Sequence, residues 1–591
     1  MPTSSAPLLL SALDWAVIAA YVGGLVVLGL LMSRRHFAPV DFFLASRATQ
    51  WPVIGLALLA SNMSSTALVG LAGGAYAMGI SVYDYEWTAT VILVFFCLFL
   101  LPFVIRSGIY TMPEFLERRY DARVRLLFAM LTLFLNVFVD SAGVLYSGSM
   151  VCQLLFPGQP LWLIVLVLAG TAGVYAVTGG LRAVILTEAV QGIVLMAGAL
   201  MISLGAFARA GGWQAVMHGV PAAALSLIRP ASDPGVPWPG LVLGIPLLGF
   251  YYWCTNQTIV QRLLSAKNVD HARWGALFAG VLKLPVLFLI VLPGVCALLL
   301  FPRLPRADMV YPTLILELLP AGLVGLVVAG FVAATMVSIA SMLNSASTLV
   351  TMDVVRQFNP SLSSASTVRV GRIATALLLL VAVLWAPQLS RFPSLWQYLQ
   401  AMLAYVVPPV VAVFLAGMFW RGASAAGAVA ALIAGSACGL GLFLVNVVFG
   451  WTHLHFLYAA PLLTAIDLLI LVLVSLRLPG VATARSDETM WRIEFRRAER
   501  QRLARTHAWQ DYRYQAAALL MLTLGVGSRK VTKASSEETD MRANNSRAPR
   551  APLAIIVWFN LCHCSHSVGQ PGHIRTDLLF CDTQLIQDLK I

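Results

Sequence analysis

Long apolar stretches separated by short polar connections run through most of the chain. Leu, Val, Ala and Gly dominate about fourteen windows, most of them close to the roughly 20 residues that a helix needs to cross a hydrocarbon core about 30 Å thick. This pattern predicts an all-α polytopic membrane protein. The windows lie at residues 10–32, 51–79, 84–105, 124–155, 160–178, 184–205, 239–260, 274–302, 311–350, 370–388, 394–419, 424–449, 453–476 and 514–527.

The last window and the residues after it differ from the rest. In 516–527 only about 12 residues suit a membrane, which gives roughly 18 Å of helix, too short to cross. From Ser528 onward the sequence is polar and patternless apart from a weak apolar patch, LAIIVWFNL. The sequence therefore predicts a short or disrupted last helix at 514–527. The tail, 528–591, is predicted to be either disordered or the product of a reading frame that departs from an ancestral one.

Composition and charge support the membrane prediction. The chain is 59% hydrophobic and 11% charged, which leaves too little polar surface for a soluble domain. The net charge of +13 could suggest nucleic acid, but Lys and Arg concentrate in the loops after odd-numbered windows. By the positive-inside rule those loops are cytoplasmic and the N-terminus is outside. The basicity therefore reports topology and not a nucleic-acid surface.

The ends of the membrane region suggest how the chain is organised. The first window lacks a basic stretch before its apolar core, and Arg34 and Arg35 follow it, so 1–33 is predicted to be an extra transmembrane helix and not a cleaved leader. The basic segment 478–513 is the main polar connection on the inner side. Its densest part, 492–506, is either a solvated helix or a helix on anionic lipid.

Metal-binding and nucleotide-binding motifs are absent from the sequence. The eight cysteines show no metal-ligand spacing, and the Cys562–Cys564 pair is too isolated for zinc. No G-x-x-x-x-G-K-[ST] motif occurs, so nothing argues for an ATP-driven pump. The sequence indicates neither an enzyme nor an obligatory protein partner.

A lysine stands inside the apolar run LFAGVLKLPVLFLIVLPGV, which covers residues 277–295. Lys283 lies ten residues beyond Arg273, or roughly 15 Å along a helix, near the middle of the membrane. Lysine reaches only a few ångström toward an interface. Ionisable groups at such depth are functional-site hypotheses by default, with a structural ion pair as the alternative.

Two further windows carry uncharged polar groups at similar depth. Asn62 lies in ASNMSSTALVGLAGG, which is either a tight helix-packing seam or a helix that breaks and frees carbonyls for a ligand. Window nine contains Ser338 and Asn344 among several hydroxyls, which are oxygen ligands of the kind sodium prefers. The other candidates within the windows are Glu86, Asp140, Glu188, Tyr252, Trp253, Asn256 and Gln400.

Of the carboxylates among these candidates, Glu86 is the natural electrostatic partner of Lys283. It lies near the outer end of window three, however, so a contact requires a tilted helix or a deep vestibule. Asp140 and Glu188 can equally pair structurally with other spans or conduct ions.

Seven segments together resemble the sodium/solute symporter superfamily, in its sodium–glucose cotransporter branch. They occur in the family's order and spacing over roughly residues 10–480. The segments are ASNMSSTALVGLAGG (60–74), YTMPEFLERRY (110–120), GGLRAVILTEAVQ (179–191), YYWCTNQTIVQRLLSAKN (251–268), LKLPVLFLIVLPG (282–294), SMLNSASTLVTMD (341–353) and QAMLAYVVPPVVAVF (400–414).

The resemblance implies a LeuT-type fold in which helices 2–6 and 7–11 form two inverted repeats of five helices. The transporter core is then 51–420, followed by two peripheral helices at 424–477. Substrate lies at mid-membrane beside discontinuous helices. The substrate-binding positions that the resemblance implies are Asn62, Glu86, Tyr252, Trp253, Asn256, Lys283 and Gln400.

The resemblance also implies a sodium site, and here the sequence departs from the family. Sodium would bind at Ala60, Met63, Ala334 and Ser338, where Val337 replaces an expected hydroxyl. Glu188 matches a carboxylate on the sodium exit path of relatives. A second departure is Ala67, which stands where sugar transporters carry Gln or His, so one hydrogen bond to the sugar is missing or made by another group.

These features predict a sodium-coupled symporter that imports a sugar or polyol by alternating access across a plasma or inner membrane. Sodium is the co-transported ion, and the lipid bilayer is the surrounding partner. The alternatives are a proton-coupled or uncoupled sugar carrier, which Val337 makes plausible, and a sugar sensor that binds without transport.

Overall fold

The structure is a computed structural model that describes residues 10–33, 44–156, 158–178, 181–392, 394–480, 489–504 and 506–538. The predicted tail beyond residue 538 lies outside these ranges. The regular secondary structure of the described residues is helical, apart from two isolated β-bridges, Thr49 with Ala266 and Arg229 with Pro237. Each of the predicted windows overlaps a helix, so the all-α prediction is confirmed.

The first half of the chain forms helices that follow the windows closely. Their bounds are α1 Ala12–Ser33, α2 Trp51–Asn62, α3 Ser65–Met78, α4 Asp84–Phe95, α5 Leu101–Arg106, α6 Met112–Arg119, α7 Ala122–Leu135, α8 Ala142–Leu155, α9 Leu161–Thr178, α10 Leu181–Arg209, α11 Gly212–Gly219, α12 Ile245–Phe250 and α13 Gln257–Leu264.

The second half continues in the same way. Its helices are α14 Val269–Lys283, α15 Leu292–Leu300, α16 Val310–Leu318, α17 Leu323–Thr348, α18 Arg356–Phe358, α19 Ser364–Trp385, α20 Leu395–Val406, α21 Pro408–Phe419, α22 Ala425–Phe443, α23 Phe456–Arg477, α24 Ile493–Leu503 and α25 Tyr512–Glu538. The last helix is thus longer than the predicted 514–527, although its apolar residues end near Gly527.

Shorter helical segments of other types join several of these helices. Segments of π-helix lie at Phe96–Leu100, Asn136–Ser141, Gly240–Gly244, Tyr251–Thr255, Leu287–Val291, Leu349–Val355 and Leu444–Val448. Segments of 3₁₀-helix lie at Ala45–Arg47, Gly79–Tyr83, Ala222–Leu225, Ala307–Met309, Ala386–Arg391 and Ala508–Gln510. π-Helical turns inside α-helices are frequent at functional sites.

Within the described residues, eight helices are long and apolar enough to cross a membrane, or nine if the bent pair α20–α21 counts as one span. The pair bends by 51° at Val407, where Pro408 and Pro409 remove backbone donors and restrict the preceding residue. Several predicted windows form shorter or broken apolar helices, among them α2 and the segment Gly240–Thr255. The coarse prediction of a multi-span helical membrane protein is therefore confirmed.

Two breaks lie beside the residues that the sequence singled out. Helix α2 ends at Asn62 and α3 begins at Ser65, with Met63 and Ser64 outside helical geometry. At Asn256 the backbone turns to an extended conformation, and its side chain accepts a hydrogen bond from Thr258 N–H to start α13. The sequence left open whether the Asn62 region is a packing seam or a broken helix, and the structure has the break.

Glycines bring α2 and α14 close together. A Cβ atom at Gly55 would lie 2.5 Å from Phe278 Cδ1, and one at Gly275 would lie 2.7 Å from Ile54 Cγ2. At such distances the backbones pack closely only because both positions lack a side chain. The helix that carries Lys283 is thereby held along the helix that ends at Asn62.

Helix α1 is fastened to the start of α17 by a carboxylate. Asp14 Oδ1 accepts hydrogen bonds from the backbone N–H groups of Gly322, at 2.7 Å, and Gly325, at 2.6 Å. Gly322 itself has no side chain to cap the helix. Asp14 thus satisfies amide groups that a helix start leaves unpaired.

The basic segment after α23 packs onto the helices that precede it in the chain. Arg273, on α14 and fully buried, forms an ion pair with Glu499 of α24 at 2.5 Å. The Arg273 guanidinium also lies 3.8 Å from the centre of the Tyr512 ring, and Tyr512 donates to Glu499 at 3.0 Å. Arg502 of α24 binds Asp270 through two hydrogen bonds of 2.8 Å. These contacts dock α24 and the start of α25 on α14.

Candidate functional site

A cavity of about 120 Å³ lies between the broken helices. Three elements from the first part of the chain contribute to its wall, namely the α2–α3 break, the start of α4 and the π-helix Asn136–Ser141. Helix α12 with its following π-helix, α17 and α20 supply the rest. Its lining residues are Asn62, Ser64, Thr66, Ala67, Tyr85, Glu86, Val139, Asp140, Ile245, Leu248, Gly249, Tyr252, Trp253, Met342, Trp396, Leu399, Gln400 and Leu403.

Five of the seven residues predicted to bind substrate line this cavity. They come from four separate stretches of the chain, which the fold brings to one place. These residues are Asn62, Glu86, Tyr252, Trp253 and Gln400.

Lys283 lies behind the cavity wall and is 1% exposed. Its ammonium group forms an ion pair with Glu86 Oε2 and donates to Asn62 Oδ1 at 2.5 Å. The same ammonium lies 4.5 Å from the centre of the Trp253 ring, within range of a cation–π interaction. Lys283 thus contacts three residues that line the cavity.

The short connection between α3 and α4 positions Glu86 for this contact. Helix α3 ends at Met78, and the residue that follows, Gly79, has a φ of 78°, in the region that favours glycine. A 3₁₀-helix, Gly79–Tyr83, then leads directly into α4, and Glu86 lies in the first turn of that helix. The depth that the sequence indicated for Glu86 therefore does not prevent an ion pair with Lys283.

Tyr252 and Trp253 lie on the π-helix Tyr251–Thr255, which precedes the break at Asn256. Their rings meet at 73° with centres 5.2 Å apart. Both rings line the cavity. A second aromatic pair, Tyr85 with Trp396, forms an edge-to-face contact at 5.1 Å elsewhere in the wall.

Asn256 is buried behind the cavity wall, and Asp140 lies between Asn256 and the cavity. The Asn256 amide donates to Asp140 Oδ2 at 3.4 Å, and its oxygen accepts from Thr258 N–H at 2.9 Å. Asp140 lines the cavity while Asn256 does not. The structure therefore places the predicted binding residue Asn256 one step away from the cavity, and Asp140 at it.

The predicted sodium ligands lie on α2, at the break after it and on α17. Ala60 is in the last turn of α2, where backbone carbonyls lose their partners four residues ahead because the helix ends. Met63 N–H donates to Leu59 O at 2.7 Å and closes that turn. Ala334, Val337 and Ser338 are buried on α17, and both α2 and α17 pack against α10.

Helix α13 occupies part of the hydroxyl-rich surface of α17. Ser345 donates to Gln261 Oε1 at 2.8 Å, and Gln261 donates to Thr348 Oγ1 at 3.2 Å. Arg262 donates to the hydroxyl of Ser341. These hydroxyls therefore join two helices, a role that the sequence did not distinguish from ion binding.

Glu188 lies within α10, but its side chain is outside the described part of the structure. No cluster of three or more His, Cys, Asp or Glu side chains that could hold a metal ion occurs among the residues described.

The sequence missed several polar and aromatic residues of the wall. Ser64 and Thr66 lie beside Asn62 in the small-residue run, where nothing in the spacing distinguishes them. Tyr85 and Trp396 were not singled out either, because aromatic residues are common at helix ends in membranes. The sequence distinguishes Asp140 by its charge alone, and only the fold shows which way its helix faces.

The chain is similar in sequence to known transporters. The model of the sodium:solute symporter family matches residues 42–435. A sodium/glucose cotransporter 1 of Oryctolagus cuniculus is 31% identical over 556 residues, which cover 84% of each chain. A sodium/myo-inositol cotransporter of Mus musculus is 33% identical over 535 residues, 80% of this chain and 74% of the relative.

Solved structures share the fold at lower identity. A Na⁺-coupled sialic acid symporter, solved in a substrate-bound outward-open state, aligns with a TM-score of 0.69 at 21% identity and covers 80% of this chain and 100% of its own. Mhp1, a nucleobase-cation-symport-1 family transporter, aligns with a TM-score of 0.53 at 14% identity. The alignment covers 77% of this chain and 99% of the Mhp1 chain. At these identities the likeness concerns the fold alone.

Proposed function

Because the chain belongs to the sodium:solute symporter family, we propose that it is a sodium-coupled symporter that imports a sugar or polyol by alternating access. It is a transporter and not an enzyme. The observation that carries the proposal is the cavity between broken helices, with Glu86, Asn62 and Trp253 held around the ammonium group of Lys283. Relatives named as sodium/glucose and sodium/myo-inositol cotransporters support the substrate class.

The substrate site in this proposal has direct and indirect members. Asn62, Glu86 and Gln400 offer donors and acceptors to hydroxyl groups, and Tyr252 and Trp253 supply apolar ring faces. Lys283 positions the first two through its hydrogen bond and ion pair, and Asn256 acts through Asp140. A polyol needs many hydrogen-bonding groups in a small concave site, and this wall supplies them.

Sodium in this proposal binds at the carbonyls of Ala60, Met63 and Ala334 and at the hydroxyl of Ser338. The end of α2 supports this assignment, because carbonyls without helical partners are suitable ligands for a hard cation. Sodium and sugar then stabilise the same conformer, so that each raises the affinity for the other. Glu188 is the proposed carboxylate on the path by which sodium leaves.

Fourteen transmembrane helices, the last one short, have the N-terminus outside, and residues 51–420 form a core of two inverted five-helix repeats. Residues 424–477 form two peripheral helices, and 478–513 is cytoplasmic. The location is the plasma or inner membrane.

Uptake into proteoliposomes tests the function. Radiolabelled glucose, galactose and myo-inositol are supplied with an inward sodium gradient, with the same sodium concentration on both sides, and with potassium in its place. Accumulation that requires the gradient is expected for at least one solute. Uptake that ignores sodium contradicts the symport, as the substitution by Val337 in the sodium site would allow, and binding without uptake indicates a sensor.

A further inference from the structure

Asp140 gives the cavity a carboxylate beyond the one that Lys283 neutralises. Two acidic side chains line the cavity, Glu86 and Asp140. Glu86 is in an ion pair with Lys283. Within the described part of the chain, the hydrogen bond that Asp140 receives comes from the uncharged amide of Asn256.

A set of polar side chains behind Asp140 contacts one of its two carboxylate oxygens. Asn256 donates to its Oδ2 atom and is itself fixed by Thr258 N–H. Asn136, one turn earlier on the same π-helix, donates to the Thr258 hydroxyl at 3.1 Å. Asn136, Asn256 and Thr258 are each 5% exposed or less. This buried set anchors one oxygen of Asp140 from behind, on the side away from the cavity.

The chemistry of an anchored carboxylate defines what it can bind. In its ionised form it accepts hydrogen bonds and donates none, and those bonds are stronger than bonds between neutral groups. Adjacent hydroxyls of a polyol can donate to it, and an ammonium group can add charge attraction. A carboxylate on the solute would meet a like charge inside a protein cavity, where repulsion is stronger than in bulk solvent.

We propose that Asp140 selects the charge of the substrate. It accepts hydrogen bonds from hydroxyl groups, admits neutral and amino sugars, and excludes sugar acids. This inference rests on the proposed function, since it concerns the same cavity, and it names the substrate class as polyhydroxylated solutes without negative charge.

Competition binding on the purified full chain tests the proposal. The probe is the neutral sugar that gives the strongest sodium-dependent uptake, together with its amino derivative and its uronic acid. In the wild-type protein the acid should compete at least about a hundredfold more weakly than the neutral sugar, the scale of a like-charge contact at an effective dielectric constant of about 20. The amino derivative should compete at least as well as the neutral sugar.

Two variants locate the effect. Asp140→Asn should improve the competition of the acid, relative to the neutral sugar, by at least about tenfold, since the like charge is gone. It should also remove any advantage of the amino derivative. Asp140→Glu keeps the charge and should preserve the wild-type order. Asp467→Asn is the matched control, because Asp467 is a buried carboxylate of α23 that does not line the cavity.

The outcomes separate this proposal from the proposed function. A wild-type protein that binds the acid as well as the neutral sugar overturns the selection by charge, and this comparison needs no variant. A folded Asp140→Asn protein that keeps the wild-type order overturns the assignment to Asp140. If no neutral sugar is taken up in a sodium-dependent way, the proposed function fails instead, and neutral sugars that still bind can be ranked against the acid.

Discussion

At the residue scale, the ammonium group of Lys283 is surrounded by side chains that themselves line the cavity. Its partners are Glu86, Asn62 and the ring of Trp253. The charge of Lys283 orients the Glu86 carboxylate and the Asn62 amide from behind. The surface that faces the cavity then belongs to Glu86 and Asn62 and not to Lys283. Lys283 is therefore expected to determine substrate binding without being the group that touches the substrate.

Lys283→Ala should abolish sugar binding and destabilise the protein. The change leaves Glu86 buried without its counter-charge, and removing one partner of a buried pair costs about 3–5 kcal/mol. Thermal unfolding and sugar binding of the purified variant measure the two effects. The double variant Glu86→Gln, Lys283→Met should recover much of the stability but not the binding.

Lys267→Ala serves as the matched control for that lysine, because Lys267 is an exposed residue ahead of α14. It should leave both stability and binding unchanged. Normal sugar binding by the Lys283→Ala protein would show that the cluster does not shape the substrate site.

Val337→Ser should strengthen the dependence of uptake on sodium. The serine restores a hydroxyl next to Ser338 on α17 and so adds one oxygen to the proposed sodium ligands. The sodium concentration for half-maximal uptake should fall, and Val337→Ala, which adds no oxygen, is the control. An unchanged sodium dependence in the serine variant would place the ion elsewhere.

The residues of the cavity could be predicted to different degrees. Lys283 and Glu86 are conspicuous because charges inside apolar windows are rare. The sequence could not predict that Asp140 lines the cavity while Asn256 lies behind it, since this depends on helix rotation and on a π-helical turn. Counting residues from the membrane surface gives the depth of a side chain but not the direction in which it points. For the same reason the sequence does not identify Tyr85 and Trp396 as cavity residues.

At the element scale, the helix breaks arise in two ways. Pro408 and Pro409 cause the bend between α20 and α21, and such a bend can be read from the sequence. The break at Met63 and Ser64 has no proline. It lies in a run of small residues that could also pack as an unbroken helix, so the sequence left both possibilities open. Tertiary contacts decide between them.

Asp14→Ala should destabilise the attachment of α1 to α17. It removes the acceptor for two backbone N–H groups at the start of α17, and the loss of a helix cap costs about 0.5–2 kcal/mol. The thermal unfolding temperature of the detergent-solubilised protein should fall. Asp14→Asn retains an acceptor oxygen and should lose less, so equal losses in both variants would contradict a capping role.

At the scale of the whole molecule, the basic segment that follows α23 packs against the transporter helices. Arg273 and Glu499 are both buried, and the Tyr512 ring lies against the guanidinium group. The sequence presented 492–506 as either a solvated or a lipid-bound helix. In the structure α24 is docked on α14 through specific ion pairs, which charge counting along the chain could not show.

Glu499→Gln should destabilise the whole chain, because Arg273 would remain buried without a negative partner. A loss of about 3–5 kcal/mol is expected from a broken buried pair. Arg123→Gln is the control, since its pair with Asp121 is exposed and such pairs contribute about 0–1 kcal/mol. Similar effects of both variants on thermal unfolding would contradict the difference in burial.

The fold class and the family could be predicted from the sequence, because apolar windows and ordered motifs extend along most of the chain. The number of spans could not be fixed in the same way. Windows such as 51–79 and 239–260 satisfy a composition test as single spans, yet each contains a break at the cavity. Broken helices carry the same apolar composition as continuous ones.

Because α24 is docked on α14, a probe on α24 can be used to follow movement of the helix that carries Lys283. Arg273 and Lys283 lie on the same helix, ten residues and roughly 15 Å apart, so a displacement of α14 during transport moves the partner of Glu499 as well. A fluorescent dye on the exposed residue Gln501 is expected to change its emission when substrate displaces α14, and an unchanged emission would show that α14 stays in place. Such a labelled protein could serve as a sugar biosensor in intact membranes.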